Sequence, residues 1–173
     1  MKTTYDDIID FHGHSCPGLA IGYRMANAAL TLLSQSKAED EEVVAIVEND
    51  ACGVDALQCV TGCTFGKGNL IFKDYGKHAY TLYCRKSGKG VRVLFNADNV
   101  PEHIREDRHQ YIDWLLSAPE GNIVSLQERD IKEPEKARIF ESSLCDFCGE
   151  SVMVTRARKL KDKVACIPCA ERT

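Results

Sequence analysis

The sequence predicts an α+β fold, a mixed helix and sheet core followed by a small cysteine-rich finger. Helical and strand-like segments are mixed without a repeating strand–helix unit. A run of β-branched and aromatic residues, HAYTLYCRK–SGKG–VRVLFN, reads as a hairpin with a glycine-rich turn. Two Cys-x-x-Cys pairs, Cys145/Cys148 and Cys166/Cys169, stand near the C-terminal end. The expected division is a core over 1–132, a linker over 133–143 and a finger over 144–173.

With 173 residues, the chain is long enough for one core of ordinary size and an appendage. No apolar run approaches the ~20 residues of a membrane span. The start, MKTTYDDIIDF, is acidic where an export signal is basic and then apolar. A cytoplasmic protein is expected. Nine cysteines, an odd number at short spacings, fit metal or thiol chemistry better than a disulfide framework. Residues 151–173 hold six Lys or Arg against two Asp or Glu, a net of +4. The whole chain is −4, so residues 1–150 carry −8.

Pro17 is suited to the first position of a helix reaching about Leu33. Its small-residue face, Gly22, Ala26 and Ala29, permits close helix contact. VVAIVEN, 43–49, reads as a buried strand. A second helix runs from Gly53 to about Thr61, where Gly62 interrupts it. Residues 69–72 read as a strand. Pro101 opens a third helix to about Ser117, and VSLQE forms a last strand. EPEKARIFESS is a charged linker or bridging helix.

The four finger cysteines carry the strongest signal. Zn²⁺ takes four ligands in a tetrahedron, and four thiolates close that shell. Two residues between cysteines let a tight knuckle aim both sulfurs at one ion, and Gly149 fits the turn. Segment 144–173 has too few apolar residues to fold alone, so a structural zinc would supply the folding energy. A treble-clef-like finger is expected, with a hairpin between its knuckles. Arg156, Arg158, Lys159, Lys161 and Lys163 form a basic stripe that supports weak, nonspecific nucleic-acid binding at most.

A second group of ligand-type residues lies in FHGHSCPG. If 11–16 is extended, His12, His14 and Cys16 point the same way. Cys16 precedes one helix start and Cys52 another, positions that favour thiolate. The reading is that His14, Cys16 and Cys52, with His12 as alternative ligand or supporting residue, form one core site for a second Zn²⁺ or similar divalent ion. Cys16, Cys52 and His14 are also candidate catalytic groups, since a thiol nucleophile needs a base beside it. Asp50 and Asp55 flank Cys52 as candidate ligands, helix caps or general bases. Asp55, Cys59 and Cys63 are expected along the approach. GCTFGKGN is not a phosphate loop, because its glycine spacing is wrong and Gly68 stands where Ser or Thr would bind magnesium. It leaves Lys67 open as an anion contact. His78, His103 and His109 are expected on exposed faces, and Cys59 and Cys84 as small hydrophobes.

FHGHSCPGLAIGYRMA and VENDACGVDALQCVTGCTFGKGNLIFKDYGKHAY resemble the FmdE family, named for a component of formylmethanofuran dehydrogenase, over roughly 5–130. The tail resembles the zinc finger that some members append. The resemblance implies an α+β core, an intertwined homodimer, metal binding and an association with the molybdenum or tungsten enzyme of methanogenesis. That enzyme's catalytic centre lies on other subunits. The positions matching the family's motifs are His12, His14, Cys16, Asp50 and Cys52. Three function classes follow: a metal-binding accessory to an oxidoreductase, an enzyme acting on a one-carbon or acyl substrate, and a regulator binding nucleic acid or protein through the finger.

Overall fold

The computed structural model describes residues 3–35 and 37–172. The chain divides into two compact units, Met1–Lys136 and Ala137–Thr173. The division falls inside the charged segment 133–143, which forms neither helix nor strand up to Glu141.

The first unit opens with a helix that the sequence reading does not contain, α1 (Tyr5–His12). Its start is fixed by a capping box, in which the Thr4 side chain accepts from Asp7 N–H and Asp7 accepts from Thr4 N–H. It ends at Gly13, whose φ of 93° is left-handed. Helix α2 (Pro17–Leu32) follows, then strand β1 (Val43–Val47), helix α3 (Gly53–Thr61) and strand β2 (Leu70–Phe72). The hairpin is β3 (Ala79–Cys84) and β4 (Lys89–Phe95). The expected third helix is broken in two, α4 (Glu102–Arg105) and α5 (Arg108–Ser117). The break is a capping event: Asp107 accepts from the N–H groups of His109 and Gln110 and starts α5 afresh. A short α6 (Glu120–Ile123) leads into β5 (Val124–Arg129).

The five strands form one sheet in the order β2-β1-β3-β4-β5. β1 and β2 are parallel and the other pairs antiparallel. One β–α–β crossover, β1–α3–β2, is thus set into an otherwise antiparallel sheet. Ligands in such units gather beyond the carboxyl ends of the parallel strands, which is where the Asn49–Cys52 loop lies.

Helices α2 and α3 pack with almost no separation. A Cβ added at Gly22 would lie 2.2 Å from the Gly53 carbonyl oxygen. The small-residue face of α2 is therefore occupied by α3 of the same chain.

The loop 64–69 is pinned by the buried Asn69. Its amide donates to the Asp40 and Val43 carbonyls and accepts from Thr64 N–H. Lys67 reaches the carbonyls of Ala38 and Glu39, both at 3.4 Å, so its ammonium ties two loops together. On the sheet face carrying Thr81 and Tyr83, Arg92 grips the buried Glu48 with both guanidinium nitrogens. That pair holds the Glu48 carboxyl below its ordinary range.

The second unit contains strands β6 (Ser142–Leu144) and β7 (Ser151–Met153), then β8 (Arg158–Leu160) and β9 (Lys163–Ala165), and ends in α7 (Ile167–Glu171). The hairpin expected between the knuckles is β8 with β9, and a further one, β6 with β7, encloses the first cysteine pair.

Candidate metal centre

The finger's four sulfurs come together. One ligand atom from each of Cys145, Cys148, Cys166 and Cys169 lies within 4.8 Å of the others. Gly149, at φ 74°, makes the turn after the first pair, and its N–H bonds the Cys145 carbonyl at 2.9 Å. The N–H of Cys166 donates to Cys145 Sγ at 3.3 Å. That donor, with the N–H groups of Cys148 and Phe147, brings the Cys145 thiol down to about 6. Cys169 has the opposite bias: its sulfur neighbours, Cys166 first, push it up to about 12. Four crowded thiols cannot all ionise alone, and a divalent cation is what lets them do so. The basic stripe is not one surface. Arg158, Leu160, Lys163 and Ala165 share one face of the β8–β9 hairpin, while Lys159 and Val164 take the other.

In the first unit, the ends of three helices assemble a second group. His12 is the last residue of α1, Cys16 is the N-cap of α2, and Cys52 is the N-cap of α3. The 11–16 segment is not extended, as the sequence reading assumes. Instead α1 ends at His12, the chain turns at Gly13, and His14 and Cys16 come back beside the helix end. The convergence is real but has another cause. Ligand atoms of His12, His14 and Cys16 all lie within 4.8 Å of one another, and the two imidazole rings stand 4.6 Å apart.

His12 is held from one side. Its Nδ1 bonds Asp55 Oδ2 at 2.7 Å, and Asp55 Oδ1 accepts from Gln58. With Nδ1–H donated to the carboxylate, Nε2 carries a lone pair. That Nε2 is buried and, among the described residues, has no hydrogen-bond partner. An imidazole oriented by a carboxylate, with its free nitrogen aimed at other ligands, is the arrangement metal-binding histidines adopt. The sequence marks Asp55 as a flanking residue that could be a ligand, cap or base and as one lining the approach, but gives it no partner. Its partner lies 43 positions away in the chain, so local sequence gives no sign of the pairing.

Cys16 is buried, and its Sγ accepts Leu19 N–H at 3.3 Å. Cys52 lies alongside. A Cβ on Gly18 would meet Cys52 Cβ at 3.3 Å, with the sulfurs of Cys16 and Cys52 at 3.9 and 4.0 Å, so a residue without a side chain admits both thiols. The expected thiolate character of Cys52 is not found. Its sulfur makes no capping bond to α3. Burial, then the Cys16 thiol beside it, push its pKa up. Tyr5 and Arg108 fix the loop by bonding the Ser15 hydroxyl and carbonyl.

Cys52, Asp50 and Asp55 open onto a cleft of about 410 Å³ that Val47, Val54, Phe65 and Phe72 also line. Cys59 and Cys63, expected along this approach, are not among its lining residues. Cys63 is fully buried, with its thiol donating to the Val43 carbonyl. His78, His103 and His109 are exposed, as expected.

A family model described as FmdE, molybdenum formylmethanofuran dehydrogenase operon, matches residues 11–125, which hold this site. The chain belongs to the FmdE family. A tungsten formylmethanofuran dehydrogenase FmdE-like protein from Syntrophus aciditrophicus, known from its crystal structure, is similar over 99% of this chain and 94% of that one, with 27% identity and a TM-score of 0.75. The match extends to the tail, and the four-cysteine cluster fits an appended finger in this FmdE member. A protein of Archaeoglobus fulgidus described as a probable S-adenosyl-L-methionine-binding protein is 34% identical over 189 aligned positions. Those positions cover 93% of this chain and 50% of that protein, so the chain spans about half the length of this relative.

Proposed function

We propose that this FmdE member is a metal-binding protein with two sites: a structural Zn²⁺ in the finger and a functional divalent ion, Zn²⁺ or a similar borderline metal, in the core. One observation carries the core site. His12 Nε2 is buried without a partner while Asp55 fixes the other ring nitrogen, and an ion at Nε2 removes an otherwise costly orphan. His12, His14 and Cys16 would hold the ion, and Cys52 would supply a fourth ligand or stand beside an open position. Such an ion supplies Lewis acidity and favours the deprotonated form of the groups it binds.

In this reading the chain is a cytoplasmic, homodimeric accessory to a molybdenum or tungsten oxidoreductase, or a handler of its metal. The family and the Syntrophus relative support the association; the dimer rests on the resemblance. S-adenosylmethionine is not carried over, because the relative bearing that name has as much chain again outside the match.

Elemental analysis of protein purified without added metal tests the core site. Two equivalents per chain are expected, with one lost in His12→Ala and the finger's retained. A single equivalent, unaffected by His12→Ala, would remove the core site.

A second reading, an enzyme using Cys52, is favoured by one fact: Cys52 is part-exposed on the cleft, whereas Cys16 is buried. Its test is the loss of site-specific alkylation at Cys52 on loading with Zn²⁺. The regulator reading draws little support from the finger, whose cations are divided between two hairpin faces.

A further inference from the structure

The cleft beside the core site has a composition that selects its occupant. Its volume of about 410 Å³ suits a small organic molecule. Val47 and Val54 form apolar walls. Phe65 is 63% exposed and Phe72 40%, although both line this concave space. Large aromatic side chains left open to water around a cleft mark a surface used for binding. The cleft's charges all have one sign. Among the described residues no Lys or Arg lines it, and its carboxylates are Asp50 and Asp55. Asp55 is engaged by His12 and Gln58. Asp50 is exposed and, among the described residues, makes no side-chain hydrogen bond or ion pair.

Aromatic rings and a free carboxylate around one apolar space attract the same chemistry. A ring quadrupole draws a cation, most strongly where water is partly excluded. A carboxylate adds Coulomb attraction and disfavours anions. Carboxylate and phosphate ligands find no Lys or Arg partner among the described lining residues, and the metal-stripped chain shows the cleft's own preference.

We propose that the cleft binds an organic cation with a compact apolar body, such as a methylated ammonium group, held between the Asp50 carboxylate and the Phe65 and Phe72 rings. The occupant then lies against Cys52 and His12, at the edge of the core metal site. Its recognition does not depend on that metal.

Three probes of nearly one shape separate charge from apolar fit: choline, 3,3-dimethyl-1-butanol and 3,3-dimethylbutanoate. Each is titrated into the full chain, metal-loaded and metal-stripped, and followed by amide shifts in NMR spectra. Choline is expected to bind about tenfold more tightly than the alcohol, with the acid weakest. Asp50→Asn should abolish the preference for choline. Phe72→Ala and Phe65→Ala should each weaken choline several-fold. All three positions are exposed, so the variants are expected to fold, and a retained thermal transition of the first unit confirms it. Equal binding of choline and the alcohol, tighter binding of the acid, or no shift with any probe overturns the proposal. So does a result in which Phe65→Ala changes the association state by light scattering and no probe binds, since a second copy would then cover the cleft. Choline binding with only one metal equivalent per chain would sink the core metal site and leave this proposal standing.

Discussion

The imidazole of His12 is fixed on one nitrogen and unsatisfied on the other, and two substitutions separate those halves. Asp55→Asn keeps shape and loses the carboxylate that orients the ring. Core-metal affinity should fall about 10–100-fold, measured by competition with a chromophoric chelator. His12→Ala should abolish it. Cys63 tests a different residue-level property. Burial pushes its thiol up to about 11, from about 9 when unfolded. The folded state therefore holds that proton where the unfolded state releases it. The contribution is complete below about pH 9 and is lost as pH rises toward 11, on the order of 2–3 kcal/mol in all. Urea melts across that window should show a shallower decline in Cys63→Ala. An unchanged slope would assign the alkaline loss to other groups, Tyr80 among them, whose burial also raises its pKa. At this scale the sequence shows which residue types are present and not who their partners are. His12, His14 and Cys16 stand within five positions and can be read together. Asp55 cannot be attached to them, because only the packing of α1 against α3 brings it there.

Between elements, the tightest contact is the glycine seam of α2 and α3. Gly22→Ala would put a methyl group 2.2 Å from the Gly53 carbonyl oxygen, against backbone that cannot rotate away. The helices must part. The expected cost is about 1–3 kcal/mol or more, read as a lowered denaturant midpoint. Since α2 carries Cys16 and α3 carries Cys52, core-metal affinity should fall with it while finger zinc stays. A variant as stable as the parent would mean that the seam is looser than described. Most elements are legible from periodicity and turn residues: α2 from Pro17 and its apolar spacing, β3 and β4 from the glycine-rich turn. Helix α1 escapes such a reading because eight residues, three of them aspartates, are too few to establish a helical period. Its capping box, with Asp in place of Glu or Gln, is the available sign. The parallel pairing of β2 is invisible, since three residues carry no register of their own.

The molecule as a whole is two units with separate sources of stability. The first has a buried apolar core over both helices and sheet. The second has Cys145, Ala165 and Cys166 as its buried hydrophobic positions among the described residues, too little to offset ordering its backbone. Cys148→Ser should therefore release one zinc and unfold 137–173, seen as collapse of its amide dispersion in NMR spectra, while the first unit keeps its thermal transition. Full zinc retention would mean that another group closes the shell. A homodimer that persists on dilution is also expected, and a monomer by light scattering at micromolar concentration would count against it. The finger is the most legible part of the sequence, because the spacing of two cysteine pairs encodes a metal shell directly. The boundary is legible only to within the charged linker, where composition changes before structure does.

The sulfur of Cys16 receives the Leu19 N–H while standing among the candidate metal ligands. One atom thus begins a helix and takes part in a chemical site. Covalent capture of that sulfur, by oxidation or alkylation, withdraws a cap worth about 0.5–2 kcal/mol from the element that carries Leu19, Met25 and Ala29 into the core. The first turn of α2 then frays, and hydrogen exchange at Leu19 quickens before any strand is disturbed. Damage to a thiol of the site becomes a loosening of the interior, so the folded chain registers the chemical state of its own cysteine.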